Sequence, residues 1–391
     1  MTQYVPKFCR PKRSLLSRMA GPVSAVITLA LLLGLVPLLK SGSQKTAARI
    51  SVPDIPEQFD RMLGAAGSML PKASQQGLGA AAEEPAAAPV IKKLNDADLV
   101  APKPLADRYG QADTIEEMSW FEEKAAGLLQ GQKLYFGPER EQLEGTPINY
   151  YLDDSIAVVT WKELVGYTVL TFAEVKIADG SQFRRFLADG RYGADTQYKT
   201  TEMAQTVNAV LASSGDFYKF HYNGIVVYEG EVRKVHANKA DTCFIDDGGN
   251  LIFLSQDVQM NDEEAQKFVD ENNIRFSLVF GPILVDDGVR CEPANYDLGE
   301  INSFSPRAAL CQMDELHYLV VTANPEPEHP GKLDIHQFAQ RLAETGCQKA
   351  YTLDGGQTAA IALDGELVNH VLYGQQRPIS DIIYFATAVG G

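Results

Sequence analysis

The first forty residues place the strongest constraint on how this chain can fold. Residues 19–39 contain no charged side chain, and a run of this length can cross the hydrocarbon core of a bilayer, which is about 30 Å thick. Residues 1–18 before it hold five basic side chains and no acidic one. Because basic flanks stay in the cytoplasm, the sequence predicts a cytoplasmic tail at 1–18, a transmembrane anchor at 19–40, and export of the remainder.

A cleaved signal peptide is the alternative interpretation of the same run. Signal peptides have an apolar region of about 7–15 residues followed by a cleavage site with small residues. The run here is longer, and Leu38-Leu39-Lys40 is a poor cleavage site, although Ser41-Gly42-Ser43 follows soon after. The sequence therefore favours an uncleaved, single-pass anchor in the cell membrane with the C-terminal domain outside the cytoplasm.

The charge balance excludes one class of partner. The formal net charge is -16, and the basic tail contributes +5 to it, so residues 19–391 carry -21. Such a field repels nucleic acid and anionic lipid. We expect no nucleic-acid partner, and any anion that binds must find a local positive pocket.

Composition divides the exported part into three segments. Residues 41–112 are rich in Ala and Pro with few aromatic residues. Such a segment buries too little surface to offset its ordering entropy, which indicates a flexible stalk. Residues 113–146 contain an apolar stripe typical of a helix near Ile115–Leu129, and we interpret them as a helical lead-in. Residues 147–391 then change to short β-rich runs and form the predicted domain.

The pattern in the domain favours an α+β fold with a mixed, mainly antiparallel sheet and packed helices. A helix is predicted at about Thr201–Ala212. Another is predicted to begin after Asp334, where Gln337 completes a capping box, and to end at Gly346. The strand Ala350–Leu353 follows this last helix, so it ends a crossover connection instead of a hairpin.

Cysteine and histidine usage gives little support for a metal site. Four of the five cysteines fall in the exported part and permit two disulfides, and buried free thiols are an equally good interpretation. No histidine or cysteine pair has metal-ligand spacing, and we predict no cofactor. A divalent cation such as calcium could bind the grouped acids Asp246-Asp247 and Asp286-Asp287, but solvated hairpin acids explain them better.

Three short segments could carry chemistry. The first is Asp354-Gly355-Gly356-Gln357-Thr358, where a strand delivers an acid and two glycines allow close approach of an anion to the backbone. The second, Ser213–Tyr218, places Gly215 and Asp216 near a strand end. The third introduces a strand with Arg307, a residue suited to clamping phosphate or carboxylate. Hairpin turns and a surface arginine are the alternatives, and motifs of serine hydrolases, NTPases and dinucleotide-binding proteins are absent from the sequence.

In chain order, these segments resemble the phosphodiester glycosidase domain family over residues 150–388. The resemblance depends on seven markers, namely Asn208–Tyr218, Phe280–Gly288, Ser305–Ala309, Gly331–Ala339, Ala350–Thr358, Val368-Asn369 and Arg377–Ile383. The chain departs from the family pattern at three places. It has Ser214 before Gly215-Asp216 where the family has Asn, Thr322-Ala323-Asn324 where the family has Asp-Gly-Arg, and Asp-Gly-Gly-Gln-Thr-Ala from residue 354 where the family has Asp-Gly-Gly-Gly-Ser-Ser.

The resemblance implies hydrolysis of a sugar–phosphodiester. The family includes the catalytic domain of an enzyme that removes N-acetylglucosamine from a mannose 6-phosphodiester, and it also occurs in bacterial proteins related to exopolysaccharide. Since the phosphate monoester released from the sugar C1 is a good leaving group, one carboxylate acting as base or nucleophile could suffice. The resemblance and the residue chemistry together nominate Asp354, Asp216 and Arg307 for catalysis, and they nominate a substrate-binding set of Gly215, Gly355, Gly356, Gln357, Thr358, Asn369 and Arg377.

The functional prediction is thus a membrane-anchored, extracytoplasmic hydrolase of sugar-1-phosphodiester linkages in envelope or exported polysaccharide. The alternative is a catalytically weakened domain that binds glycan or phosphate during exopolysaccharide assembly. A third interpretation is a scaffold for partner proteins. Turnover of a phosphodiester glycoside distinguishes the first, and a melting shift with ligand but without turnover distinguishes the second.

Overall fold

The computed structural model describes residues 91–389, except for 220–223, 237–239 and 293–300. The predicted cytoplasmic tail and the anchor at 19–40 lie outside these residues. Within the described part, no helix is both long and apolar enough to cross a membrane.

Nineteen strands and four α-helices make up the described part of the chain. The helices are α1 (Phe121–Leu129), α2 (Thr200–Thr206), α3 (Asp262–Glu271) and α4 (Ile335–Glu344). The strands are β1 (Tyr109–Ala112), β2 (Ile148–Leu152), β3 (Ile156–Val165), β4 (Thr168–Ile177), β5 (Phe183–Leu187), β6 (Leu211–Ser214), β7 (Gly224–Tyr228), β8 (Glu231–His236), β9 (Thr242–Asp246), β10 (Leu251–Leu254), β11 (Ile274–Leu278), β12 (Ile283–Asp286), β13 (Val289–Arg290), β14 (Arg307–Asp314), β15 (His317–Asn324), β16 (Lys349–Leu353), β17 (Ile361–Leu363), β18 (Glu366–Leu367) and β19 (Asp381–Phe385).

The strands form three sheets in which every hydrogen-bonded pair of strands is antiparallel. A nine-stranded sheet has the order β1-β2-β3-β4-β15-β14-β16-β12-β13, and two five-stranded sheets have the orders β10-β9-β11-β7-β8 and β18-β17-β6-β19-β5. The predicted α+β class with mainly antiparallel sheets is confirmed for the described residues.

The nine-stranded sheet is buried on both faces, because consecutive side chains along its strands pack in two different hydrophobic clusters. Ala309 and Cys311 on β14 pack in the cluster that contains α1 and α4, whereas their neighbours Ala308 and Leu310 pack in a second cluster. That second cluster also takes side chains from both five-stranded sheets. Since strand side chains point alternately to opposite faces, two helices cover one face of the large sheet and two smaller sheets cover the other.

Helix α4 is the crossover that delivers the acidic loop. Both β15 and β16 run antiparallel to β14, so they are parallel to each other and need a helical connection. The capping box forms as predicted, because Asp334 accepts from the Gln337 amide at 2.8 Å and the Gln337 side chain accepts from the Asp334 amide at 3.1 Å. Gly346 follows the helix with a φ of +79°, a conformation that favours glycine.

The predicted helix at Thr201–Ala212 is wrong in its second half. The helix ends at Thr206, Asn208 takes a left-handed conformation with a φ of 56°, and Leu211–Ser214 forms the strand β6. β6 lies between β17 and β19. A short apolar run fits a buried strand as well as a helix, and pairing on both sides decided the outcome.

The end of the predicted stalk packs on the domain. Leu94 and Ala101 are buried beside α2, and β1 pairs with β2 at the edge of the nine-stranded sheet. Arg184 anchors the segment by donating to the carbonyls of Asn95 (3.2 Å) and Asp98 (2.6 Å). The described residues 91–112, which the sequence analysis placed in the linker, therefore pack against the domain.

This anchoring predicts that Arg184→Ala loosens residues 91–108 without unfolding the sheets. The carbonyls of Asn95 and Asp98 would lose their donor, so trypsin should cleave after Lys92 and Lys93 several-fold faster. Limited proteolysis followed by mass spectrometry measures this rate. Arg191→Ala, at an exposed arginine, is the control. Equal cleavage rates in both variants would contradict the assignment.

Candidate active site

The loop after β16 places a carboxylate in a protected position. Asp354 is only 6% exposed, its amide donates to the Gly215 carbonyl at 2.9 Å, and its carbonyl accepts from the Ser214 hydroxyl at 2.9 Å. Gly355 has to be glycine, because a Cβ there would lie 2.7 Å from the Pro306 carbonyl oxygen. The strands β6 and β16, from two different sheets, thus fix the Asp354 backbone together.

Arg377 holds the Asp354 carboxylate from the solvent side. Its Nη2 lies 3.1 Å from Asp354 Oδ2, and its guanidinium carbon lies 5.2 Å from the centre of the Phe217 ring. Burial raises the pKa of Asp354 to about 6, against the lowering effects of Arg377 and of a hydrogen bond from Thr358. A carboxyl with this pKa changes its protonation state near neutral pH, which suits acid–base chemistry.

Arg307 supplies a second cation at the first residue of β14. Its Nε donates to the Leu333 carbonyl at 3.4 Å, and its Nη2 donates to the carbonyls of Ile301 (2.7 Å) and Ser303. Burial lowers the pKa of Arg307 to about 10, with Asp334 opposing that effect. The side chain therefore remains charged at neutral pH and is held in one orientation.

These groups share a cavity of about 430 Å³. Six of the predicted residues line it, namely Arg307, Asp354, Gly355, Gly356, Gln357 and Arg377. Aromatic and aliphatic side chains complete the wall, namely Phe217, Phe280, Ile301, Leu353, Leu372 and Tyr373. An apolar cavity with a few convergent charged groups is the usual form of a small-molecule site.

Asp216 lies behind the cavity wall and does not line it. Its carboxylate is fully buried, pairs with Arg185 Nη2 at 2.6 Å, and accepts from the amides of Tyr218 (2.8 Å) and Val279 (2.6 Å). Arg185 also pairs with Asp381, at 2.9 Å. Burial raises the pKa of Asp381 to about 6, and the neighbouring Asp216 adds to this effect. For Arg185, burial alone would lower the pKa, but the two carboxylates outweigh it and the pKa is raised.

The other predicted binding residues have structural partners. Gly215 is in close contact with Asp381, since a Cβ would lie 1.8 Å from its Oδ2. Asn369 is buried, accepts from the Ile361 amide at 2.8 Å and donates to Asn324 Oδ1 at 3.1 Å. The Thr358 hydroxyl donates to the Gly355 carbonyl at 2.6 Å.

One detail of the expected anion cradle differs from the structure. The Gly356 amide donates to the Pro306 carbonyl at 2.9 Å, so it is not directed at a ligand. Gly356 instead supplies a φ of +64° that turns the chain after Asp354. The positive charge of the site therefore comes from Arg307 and Arg377.

The sequence analysis did not identify Arg185 and Asp381 as members of the buried ion cluster beside the site. Arg184-Arg185 falls within the buried strand β5, and a charge inside an otherwise apolar strand is the signal that could have exposed it. Asp381 lies inside a quoted family marker but received no role.

A second cavity, of about 460 Å³, is lined by three arginines, Arg184, Arg185 and Arg275. Each already binds protein groups, since Arg275 donates to the carbonyls of Gly180 and Phe183 at 2.9 Å and pairs with Asp96. None of the residues predicted for the site lines this second cavity, so we place the candidate site at the Asp354 cavity, although it is slightly smaller. For the described residues, no group of three or more metal-ligating side chains is found. Two of the grouped acids considered for calcium have partners within the protein, since Asp286 pairs with Lys349 at 2.7 Å and Asp246 accepts from the Asn250 side chain.

Comparison with known proteins identifies the region around this site. Residues 207–386 match the family model described as phosphodiester glycosidase. The resemblance inferred from the sequence over residues 150–388 is thus confirmed for residues 207–386. A curated relative, the uncharacterized SPbeta prophage-derived protein YomE of Bacillus subtilis (strain 168), is 21% identical over 199 residues. The alignment covers 49% of this chain and 30% of the relative, so the chain spans less than a third of that protein.

Two solved structures are similar in part. The catalytic domain of zebrafish N-acetylglucosamine-1-phosphodiester alpha-N-acetylglucosaminidase has a TM-score of 0.46 and 16% identity, and the match covers 59% of this chain and 82% of that one. A hypothetical protein from Synechocystis has a TM-score of 0.44 and 13% identity, with 61% and 64% covered.

The buried ion cluster predicts a pH-dependent cost for Arg185→Met. Removing the arginine leaves two buried carboxylates uncompensated, so the free energy of unfolding at pH 8 should fall by about 3–5 kcal/mol. The loss should shrink at pH 5, where Asp381, with its raised pKa, becomes neutral. Urea unfolding at both pH values measures this. Arg191→Met, at an exposed site, should be nearly neutral, and an equal loss at pH 5 and pH 8 would contradict the charge explanation.

The raised pKa predicts that Asp354→Asn does not destabilise the protein above pH 7. The Asp354 carboxyl has a pKa of about 6 in the folded protein and about 4 in the unfolded chain. It therefore contributes fully to the free energy of unfolding below pH 4, and this contribution is lost as the pH rises through 6. Asn carries no such cost, so the variant should match or exceed the wild type at pH 8, by up to about 3 kcal/mol. Denaturant unfolding at pH 4 and pH 8 tests this. A lower stability at pH 8 would contradict the assigned shift.

Proposed function

We propose that this chain is a hydrolase of sugar-1-phosphodiester linkages and that Asp354 is its reacting carboxylate. The observation that carries the proposal is the convergence of Asp354, Arg307 and Arg377 on one cavity within the phosphodiester glycosidase-like region. A carboxylate beside two cations suits a substrate that combines an electrophilic sugar carbon with an anionic phosphate.

The two arginines bind the phosphate in this proposal. The protein as a whole carries a net charge of -16, so an anionic substrate needs a local positive field. Arg307 is fixed by backbone carbonyls and contributes a preorganised charge, which costs little reorganisation when the substrate binds. Arg377 is 44% exposed, so it can shift from Asp354 to the incoming phosphate.

Asp354 acts as general base in the hydrolysis. It takes a proton from water, and the water oxygen bonds to the sugar C1. The bond between C1 and the bridging oxygen breaks, and its electron pair stays on that oxygen, which leaves as part of the phosphate monoester. That leaving group is already a stable anion, so the reaction needs no second carboxylic acid to protonate it. Arg377 contacts Oδ2 of Asp354, and the other carboxylate oxygen is the one we assign to the water.

Asp216 has a positioning role in this account. Its carboxylate is satisfied by Arg185 and two backbone amides, and it fixes the turn that carries Phe217 into the cavity. We thus assign Asp216 to support of the site and not to the chemical step.

The proposal also includes the location of the domain and the source of its substrate. The apolar run at residues 19–40 supports a membrane anchor, with the domain on the extracytoplasmic side. A substrate in envelope or exported polysaccharide follows from that location and from a sugar–phosphodiester specificity.

A glycan- or phosphate-binding domain without turnover is the second candidate. The specific observation in its favour is that Asn324 occupies the place where the family has arginine, and its amide is bound to the Ala359 carbonyl at 3.2 Å. This candidate predicts that a sugar-1-phosphodiester raises the melting temperature but is recovered intact.

The proposal predicts that Asp354→Asn lowers kcat on a sugar-1-phosphodiester by about a hundredfold or more, because the amide cannot accept the proton. The wild-type rate should rise with pH through about 6, the pKa of Asp354, and this step should be missing in the variant. Release of the free sugar is measured against pH. Asp287→Asn, in an exposed turn, is the matched control, and unchanged turnover in Asp354→Asn would overturn the assignment.

A further inference from the structure

The entrance of the Asp354 cavity carries a large aromatic side chain that the proposed chemistry does not use. Tyr373 lines the cavity and is 81% exposed. Tyr167 is similarly exposed, at 78%, but lies in the turn between β3 and β4 and does not line this cavity. An apolar ring at a cavity entrance gains stabilisation when a ligand covers it.

The protein holds Tyr373 in a defined place. Its backbone is left-handed with a φ of 62°, a conformation that is costly for a bulky residue and persists where the surrounding structure fixes it. The Gly374 amide donates to the Val371 carbonyl at 2.9 Å and closes the turn. The Gln357 side chain donates to the Gln375 carbonyl at 3.1 Å, which ties this turn to the loop that follows Asp354.

Phe217 brings a second ring to the same cavity under similar constraint. Its φ is 64°, and the next amide, that of Tyr218, donates to the buried Asp216 carboxylate. Arg377 lies over the Phe217 ring and also contacts Asp354. The aromatic wall and the reacting carboxylate are therefore connected through one guanidinium, so a ligand at Asp354 that extends outward meets aromatic surface.

We propose that Tyr373 forms an outer subsite that stacks against a sugar ring on the far side of the scissile phosphodiester. This inference rests on the proposed function. A sugar ring has an apolar C–H face and a polar edge, which matches an aromatic wall bordered by Gln357, Ser305 and the two arginines. Because Asp354 is buried and Tyr373 is exposed, the ring at Tyr373 belongs to the part of the substrate that leaves with the phosphate.

The decisive experiment compares two substrates with the same sugar 1-phosphate. One is its methyl diester, and the other is its diester to the C6 hydroxyl of a methyl hexopyranoside. The full wild-type chain should prefer the second. Tyr373→Ala should lower kcat/KM for the second by about tenfold, mainly through KM, because aromatic contacts at binding sites have this weight, and it should leave the methyl diester within about twofold.

Two further variants complete the test. Tyr373→Trp should retain the preference, because stacking needs a ring and not the hydroxyl, and Tyr167→Ala should behave as wild type. An equal loss on both diesters in Tyr373→Ala, or no loss on either, would overturn the outer subsite while the proposed function stands.

Failure of the proposed function would appear differently, as no turnover of either diester by the wild type. Saturation-transfer NMR of the wild-type chain with the methyl hexopyranoside alone then tests whether the sugar binds at Tyr373. A transfer signal that disappears in Tyr373→Ala and persists in Tyr167→Ala supports the subsite. A signal that is unchanged in Tyr373→Ala, or absent in the wild type, overturns it.

Discussion

The pairing of the buried Arg185 with Asp216 and Asp381 is the interaction on which the site depends. These residues come from β5, from the turn after β6 and from β19, which are far apart in the sequence. Two carboxylates and one guanidinium in a dry interior are tolerated only when each is paired and hydrogen-bonded. The cluster therefore fixes three neighbouring strands relative to one another.

The ion cluster is connected to the cavity through the backbone of Gly215. Gly215 packs directly on Asp381, and its carbonyl accepts the Asp354 amide. The turn after β6 and the loop after β16 are thus joined at a place where the nine-stranded sheet meets a five-stranded sheet. Burial at that junction raises the pKa of Asp354 to about 6, so the architecture that protects the carboxylate also brings its titration close to neutral pH.

The parts of the site that are local in sequence could be predicted, and the parts that depend on partners in other elements could not. The capping box at Asp334 and the acidic loop after β16 each depend on residues that are a few positions apart, and the structure has both. The family markers nominated both Arg307 and Asp354, but their convergence depends on the pairing of β14 with β16, which no local pattern in the sequence specifies. The buried position of Asp216 could not be predicted, because its partner Arg185 lies 31 residues away. Leu211–Ser214 was predicted as helix because a short apolar run does not specify helix or strand. The packing of residues 91–112 depends on Arg184, which composition alone does not reveal.

The most direct test of the central claim is hydrolysis of a sugar-1-phosphodiester in water enriched in oxygen-18, followed by mass spectrometry of both products. Attack of water on the sugar carbon, with Asp354 as base, predicts that the label enters the C1 hydroxyl of the released sugar and that the phosphate monoester remains unlabelled. Label in the phosphate would mean that the phosphorus–oxygen bond is broken, and it would contradict the account.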